Sequence, residues 1–526
     1  MPLDHCAVFD GAWRLLTGQV PFRDFSMPNS LVPIALQVPF FKVLGVNWFS
    51  YCLHAALFNG LFCLLVFVFL KWLGGSSWLS FFYAFLSGLV FYPPYGLPSH
   101  DQHAFFFVFL ALVIAFFPSR TSSLAAKAGA WFLVPVILAA AFFSKQIPTV
   151  FAVPVVFLVM LATTKKRQLK IMAAAVGTSA AVVAAGFFAV LRIFHIDLAQ
   201  VVLSLWTYPS QMGGERLRFF SANYPVWKFM RGAFYPLTRE PFSLTLLSYG
   251  LIYLSAVVVV ALTLVRSFRR AADGGTVKAR ATLWPIGLSL GLLGICNGFI
   301  FFTLNQGENG LPYLFAALGL AHIGVLGLFP PREGMKRAVG LKGAVSLLFI
   351  VVAVTDGVAF NNRVNRTRIV HDLKLQDRPV AAAADVPEEL RFIRFVTPPD
   401  CQYSAADLKR TAEFLKAEKA TFFLLGDTSI LYALAHRPST SPVLWFHPGL
   451  TIPAVDSEDF LLFEEHLLEH LRKYKVKYVV LEGQKTWFGL ALWNFKKLSS
   501  LIRPDSPKNR NFGGFRVLRI DLAEEP

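Results

Sequence analysis

Charged residues are what this sequence lacks. Only 16% of its 526 residues are Asp, Glu, Lys or Arg, whereas a water-soluble chain carries about a quarter. That shortage excludes an ordinary soluble enzyme. Cysteine is scarce as well. Cys6, Cys52, Cys63, Cys296 and Cys401 show neither paired spacing nor metal-ligand spacing, so neither a disulfide framework nor a zinc ribbon is indicated. A glycine-rich phosphate loop is also missing. Gly426-Asp427 follows a strand-like run as a βα turn would, but without that fingerprint nucleotide binding is not indicated. No internal repeat is visible.

What the chain has instead is apolar surface. Hydrophobic residues make up 55%, aromatics 15%, and Phe alone occurs 53 times; the mean hydropathy is +0.53. These values describe a polytopic membrane protein. Basic residues outnumber acidic ones by 50 to 32, a formal charge of +18. The excess falls in clusters between apolar runs and forms no RNA- or DNA-binding motif. Membrane orientation and anionic lipids account for it.

Runs of spanning length lie at roughly 48–70, 76–94, 102–117, 129–143, 148–163, 171–193, 244–265, 283–303, 311–329 and 342–360. Every second connection is basic: Lys71; Arg120 and Lys127; Lys165, Lys166, Arg167 and Lys170; Arg266, Arg269, Arg270, Lys278 and Arg280; Arg332, Lys336 and Arg337. The positive-inside rule makes that set cytoplasmic. Residues 1–47, 95–101, 144–147, 194–243, 304–310 and everything after 361 then face outward, to the periplasm or its equivalent. The stretch 1–46 reads as neither a signal sequence nor a span, and 31–43 suits a helix lying along the membrane surface. An outer N-terminus with no span before it is hard to insert, so a further helix upstream of Met1 is expected. After 361 the apolar runs shorten to strand length, at 421–425, 478–481 and 515–520, and alternate with helix-like stretches near 405–418, 457–474 and 489–502. The expected organisation is an outer acidic loop (1–47), a transmembrane domain (48–360) with an outer loop (194–243), and an extracytoplasmic α/β domain (361–526).

Three outward-facing places carry polar groups that a membrane setting does not require. They are Asp4 with Asp24, the run Ser99-His100-Asp101-Gln102-His103, and the corner Ser144-Lys145-Gln146-Ile147-Pro148. Each has a plainer reading. Asp24 would pair with Arg23 or Arg14, Asp101 would cap the helix that starts there, and Lys145 would reach to headgroups. His54, Asn59, Asn297 and His322 lie inside spans and suit interhelical hydrogen bonds. Residues 208–240 add Arg216, Arg218, Lys228, Arg231 and Arg239 among tyrosines and Trp227, a composition fit for an interfacial anchor or for a lipid-linked phosphate.

In order and orientation, residues 1–330 resemble the GT-C fold glycosyltransferases, in the branch of the protein O-mannosyltransferases and the lipid A aminoarabinose transferase. The run DHCAVFDGAWRLLTGQVPFRDF is similar to that group's first outer loop, PSHDQHAFFFVFLAL to its second acidic motif, and FFSKQIPTVFAVP to its lysine corner. ENGLPYLFAALGLAHIG, with Tyr313, is similar to its late outer mouth. Three departures stand out: Asp4-His5 replaces an acidic pair, Gln146 a glycine, and Glu308-Asn309 a basic residue.

The resemblance implies a mainly α, GT-C-like membrane enzyme that moves a sugar from a polyprenyl-phosphate donor to a lipid, glycan or protein acceptor on the outer face of the inner (plasma) membrane. On that chemistry Asp4 would be the base and Asp101 would position the acceptor or steady oxocarbenium-like charge. Lys145 and the arginines of 216–239 would hold the phosphate, with Asp24, His103 and Tyr313 lining the substrate site. Some relatives bind a divalent metal; no ligand cluster in the sequence requires one. A flippase or transporter of lipid-linked saccharide fits less well, since it calls for inverted repeats and midplane charges. A glycan polymerase or ligase shares the outer-face site and the lipid donor, and the donor's chain length would discriminate it.

Overall fold

A computed structural model describes residues 3–92, 96–214, 245–272, 280–303, 311–329, 336–367, 380–392, 403–486 and 488–522; side chains at several helix ends, Asp4's among them, lie outside the description. Apolar runs become helices because lipid offers the backbone no other hydrogen-bond partner. They are α1 (Leu3–Leu16), α2 (Leu31–Leu44), α3 (Trp48–Trp72), α4 (Ser77–Phe91), α5 (His100–Phe116), α6 (Leu124–Ser144), α7 (Gln146–Thr163), α8 (Leu169–Ile193) and the short α9 (Leu198–Val202). Then come α10 (Thr245–Ala272), α11 (Arg280–Thr303), α12 (Leu314–Leu326) and α13 (Lys336–Thr367). Polar residues set the starts: the side chains of Asn47, Ser76, Ser99 and Ser123 accept first-turn N–H groups of α3, α4, α5 and α6.

Every expected span is a helix. Among the described residues seven are long and apolar enough to cross a membrane, while Ser77–Phe91 and Leu314–Leu326 are shorter. The shortest lies deepest. All of α12 except Leu326 is buried, as an apolar helix without a polar face requires. Its contacts include Ser289 Oγ donating to the Ala317 carbonyl at 2.7 Å, and His322 bridging the Tyr83 hydroxyl and Ser346 Oγ at 3.1 Å each.

Beyond the spans, α14 (Ala405–Ala417), α15 (Leu431–Leu434), α16 (Glu458–Lys473) and α17 (Lys496–Ser500) surround a sheet of β1 (Phe422–Leu425), β2 (Tyr478–Glu482), β3 (Arg510–Phe512) and β4 (Phe515–Arg519). The sheet order is β1-β2-β4-β3, with β1 and β2 parallel and the other pairs antiparallel. The chain is therefore a mainly α polytopic protein with a small C-terminal α/β unit. One face of the sheet packs on α16 through Phe460, Leu467 and Leu471. The other face, with Phe422, Leu424 and Val480, shares one core with Cys6, Phe9 and Phe25 of the N-terminal segment. The first thirty or so residues and the last domain are thus packed as one body.

Candidate active site

The structure joins two of the three polar places. Ser99, not Asp101, takes the cap position of α5 and accepts the Asp101 N–H at 3.3 Å, which leaves the Asp101 carboxylate free to point away from its own helix end. Helix α6 stops at Ser144, and Lys145 adopts an extended backbone between α6 and α7. Its side chain leaves the corner sideways. Lys145 Nζ stands 2.5 Å from Asp101 Oδ1, an ion pair between side chains only 15% and 4% exposed. His100 Nε2 lies 3.7 Å from the same oxygen. The ammonium also stands over the Phe299 ring at 5.1 Å, where the ring face attracts a cation.

Phe299 connects the pair to the last recognised motif. It packs edge-on to Phe105, which meets Tyr313 in the same way, each at 5.1 Å between centroids. Tyr313 is fully buried and donates its hydroxyl to the Phe105 carbonyl, so it supports the wall and offers a ligand no polar atom. His103 is also fully buried. It contacts the Tyr92 hydroxyl at 2.7 Å, the Ser99 carbonyl at 2.9 Å and His54 Nε2 at 3.0 Å; His54 continues to Gln37 Oε1 at 2.9 Å. This chain ties α2, α3 and α5 together beneath Asp101. Both ring nitrogens of His103 are thus engaged by the protein, and the ring lines no surface a ligand could reach. His54, Asn59 and His322 make the interhelical bonds expected of them.

Asp24 points elsewhere. It accepts the Val20 N–H at 2.8 Å and Arg23 Nη2 at 2.7 Å, and Lys473 of the C-terminal unit lies 3.6 Å away. Burial raises its pKa, but Arg23, the Val20 N–H and Lys473 outweigh it and hold the carboxyl below the usual range. The plainer expectation, a partner for Arg23, describes its geometry; nothing places it beside Asp101. Asp4 lies in the first turn of α1 with its side chain outside the described residues, as do Arg216, Arg218, Lys228 and Arg231 entirely.

The sequence reading passed over the pair that seats the N-terminal segment. Asp10 and Arg14 are both fully buried and meet at 2.8 Å. Arg14 Nη1 donates to the Ser441 carbonyl at 2.7 Å, Ser439 Oγ donates to Asp10, and Trp13 Nε1 reaches the Arg437 carbonyl at 2.8 Å. The i, i+4 spacing of opposite charges on a helix was the available signal. Gln146, the departure from the resembling motif, has a task as well. Its amide donates to the carbonyls of Pro28 at 2.6 Å and Leu205 at 3.3 Å, and the Ser30 N–H donates to the Ser144 carbonyl at 2.9 Å. The lysine corner is thereby tied to the N-terminal segment. Among the described residues no three of His, Cys, Asp and Glu come together as a metal-ligand set.

No family model matches the sequence, and no curated protein matches it. Among solved structures the chain is similar to ArnT from Cupriavidus metallidurans in the apo state, at 12% identity over 100% of this chain and 95% of that one, with a TM-score of 0.47. A likeness of that size does not by itself fix a shared fold.

Proposed function

We propose that the protein is a membrane glycosyltransferase of the GT-C type, which moves a sugar from a polyprenyl-phosphate donor to an acceptor at the outer rim of the membrane. The observation that carries this reading is the Asp101–Lys145 pair, brought from separate helix ends into one nearly buried spot. A buried ion pair costs desolvation and is weak evidence for stability, so its upkeep at a helix mouth points to chemistry. The acceptor oxygen attacks the anomeric carbon, and the bond from that carbon to the phosphate oxygen breaks. Both electrons leave with the polyprenyl phosphate, and the acceptor proton passes to a carboxylate. In this reading Lys145 exchanges Asp101 for the departing phosphate, which needs a cation as its charge grows. Asp101, released, then faces the positive charge developing on the sugar. Asp4 is the proposed base, with the arginines of 216–231 as further phosphate ligands. A single displacement inverts the anomeric centre.

The test measures release of polyprenyl phosphate from a panel of polyprenyl-phosphate sugars by Asp101→Asn, Lys145→Gln and Asp4→Asn proteins that retain the wild-type melting temperature. Removing one group that stabilises transition-state charge costs about 10²–10³ in turnover, and a loss of that order is expected for Asp101 and Lys145. Turnover close to wild type in both removes the assignment.

A further inference from the structure

The C-terminal unit holds a cavity of about 380 Å³ at the edge of the sheet where β1 and β2 end, within the range of small-molecule sites, roughly 300–1,000 Å³. In open sheets the carboxyl ends of parallel strands are where ligands bind. The floor is apolar. Arg516 pairs with Leu481 and Leu518 with Val479 across β2 and β4, so strand alternation turns Leu481, Arg516 and Leu518 to one face. The rim carries Lys485, Trp493 and Ser499.

Two details narrow the ligand. The turn after β1, an anion seat in many such folds, is already filled. Glu482 Oε2 accepts the N–H groups of Asp427 and Thr428 at 2.7 Å each, and its Oε1 accepts the Thr428 hydroxyl at 2.8 Å. The fit is close, for a Cβ on Gly426 would stand 2.5 Å from Glu482 Oε2. A free phosphate is shut out of the turn, while Lys485 and Arg516 line the adjoining cavity and form no ion pair among the described residues. The other detail is Trp493, 58% exposed with the Lys485 ammonium 5.6 Å from its ring. The indole presents an apolar face and a polar N–H edge beside the cavity. A sugar ring matches it, offering C–H groups to the indole face and hydroxyls to the polar rim.

We propose that this cavity binds an acidic saccharide, with the sugar ring against Trp493 and its carboxylate or phosphate between Lys485 and Arg516. It goes beyond the proposed function, since the cavity opens on the α16 side of the sheet and not on the face that packs against the N-terminal segment. Binding is read without transfer, so failure here leaves the Asp101–Lys145 chemistry standing, and failure of the transfer assay leaves this cavity's ligand standing.

The experiment uses the full chain in lipid nanodiscs, with calorimetry and saturation-transfer NMR against digalacturonate, glucose 6-phosphate, cellobiose and inorganic phosphate. At least one of the two acidic sugars is expected to bind about tenfold or more tighter than cellobiose and than phosphate, a gap of about 1.4 kcal/mol. Whether the carboxylate or the phosphate sugar wins tells which acid is read. Trp493→Ala, which removes an exposed side chain, is expected to weaken that binding about tenfold, and the pair Lys485→Gln with Arg516→Gln to erase the preference for acid. Absence of binding by both acidic sugars, equal binding of cellobiose or phosphate, or indifference to Trp493→Ala overturns the proposal.

Discussion

Taking away the Arg14 guanidinium leaves Asp10 a fully buried carboxylate whose remaining hydrogen-bond partner among the described residues is the Ser439 hydroxyl. Breaking a buried pair from one side costs about 3–5 kcal/mol. Arg14→Met is therefore expected to lower the melting temperature sharply, and Asp10→Asn added to it to recover part of the loss; thermal unfolding of the three proteins checks both. His470 gives a second prediction. Burial, with repulsion from Arg14 and Lys473 and opposed by Asp24, pushes it down to about 4. A depressed folded pKa means that the neutral ring stabilises the fold above the unfolded value, near 6.5. That contribution is lost as pH falls from about 6.5 towards 4. His470→Gln should flatten the fall in melting temperature across that window, and a slope equal to wild type would dismiss the group. At this scale the sequence showed which groups were unusual but not whom they meet. Lys145 and Asp101 stood out as charges at span ends, yet their pairing depends on where α5 and α6 terminate in space. Arg14 finds its carbonyl 427 positions away, beyond any local pattern.

Elements were legible where their length is set by hydrophobic content, and less so where neighbours set it. The run at 311–329 reads as a full span, but Leu314–Leu326 is shorter and is enclosed by other helices instead of lipid. Hydropathy cannot distinguish those two surroundings, since both are apolar. The three-residue β3 escaped notice because its only signal is the pairing with β4, and the helix-like stretch at 489–502 resolves into a 3₁₀ turn at Leu492–Asn494 and the short α17. Enclosure makes α12 intolerant of volume. A Cβ on Gly319 would come within 2.9 Å of the Tyr83 ring, which the His322 bond holds in place. Gly319→Ala is expected to cost about 1–3 kcal/mol by overpacking, visible as a lower melting temperature, whereas Gly177→Ala, inside α8 with open space around it, should not lower it and should gain up to about 1 kcal/mol of helix propensity. Gln146→Gly tests the corner. It removes two hydrogen bonds worth about 1 kcal/mol each, and by loosening Lys145 it should lower turnover more than substrate binding. A change confined to KM would mean that Gln146 does not position the lysine.

At the scale of the molecule, the domains expected from composition cross-pack in a way composition cannot express. Shortening apolar runs mark where the C-terminal unit lies, but not that its sheet is covered on one side by residues of α1 and the loop after it. The seam is continuous: Ser26 pairs with Val443, its N–H donating to the Pro442 carbonyl at 2.8 Å while the Leu444 N–H donates to the Ser26 carbonyl at 3.0 Å. The same N-terminal segment touches the lysine corner through Pro28 and Ser30. It is thus the mechanical link between the sheet and the proposed site, and both must lie on one side of the membrane. By the positive-inside reading that side is the outer one, so alkaline phosphatase fused after Pro526 should be active in cells and green fluorescent protein fused there dark. Cutting the chain tests the link. A protein ending at residue 367 deprives Asp10 and Arg14 of Ser439 and Ser441, Trp13 of the Arg437 carbonyl, and Ser26 of its pairing with 442–444. It is expected to insert with its spans intact, to lose protection of residues 1–30 against limited proteolysis, and to lose transfer activity although Asp101 and Lys145 remain. Supplying residues 380–522 as a separate chain should restore protection, because the seam needs contact and not covalent continuity. A truncated protein whose first thirty residues stay protected would mean that the membrane helices alone hold the segment, and the C-terminal unit would then have no part in shaping the site.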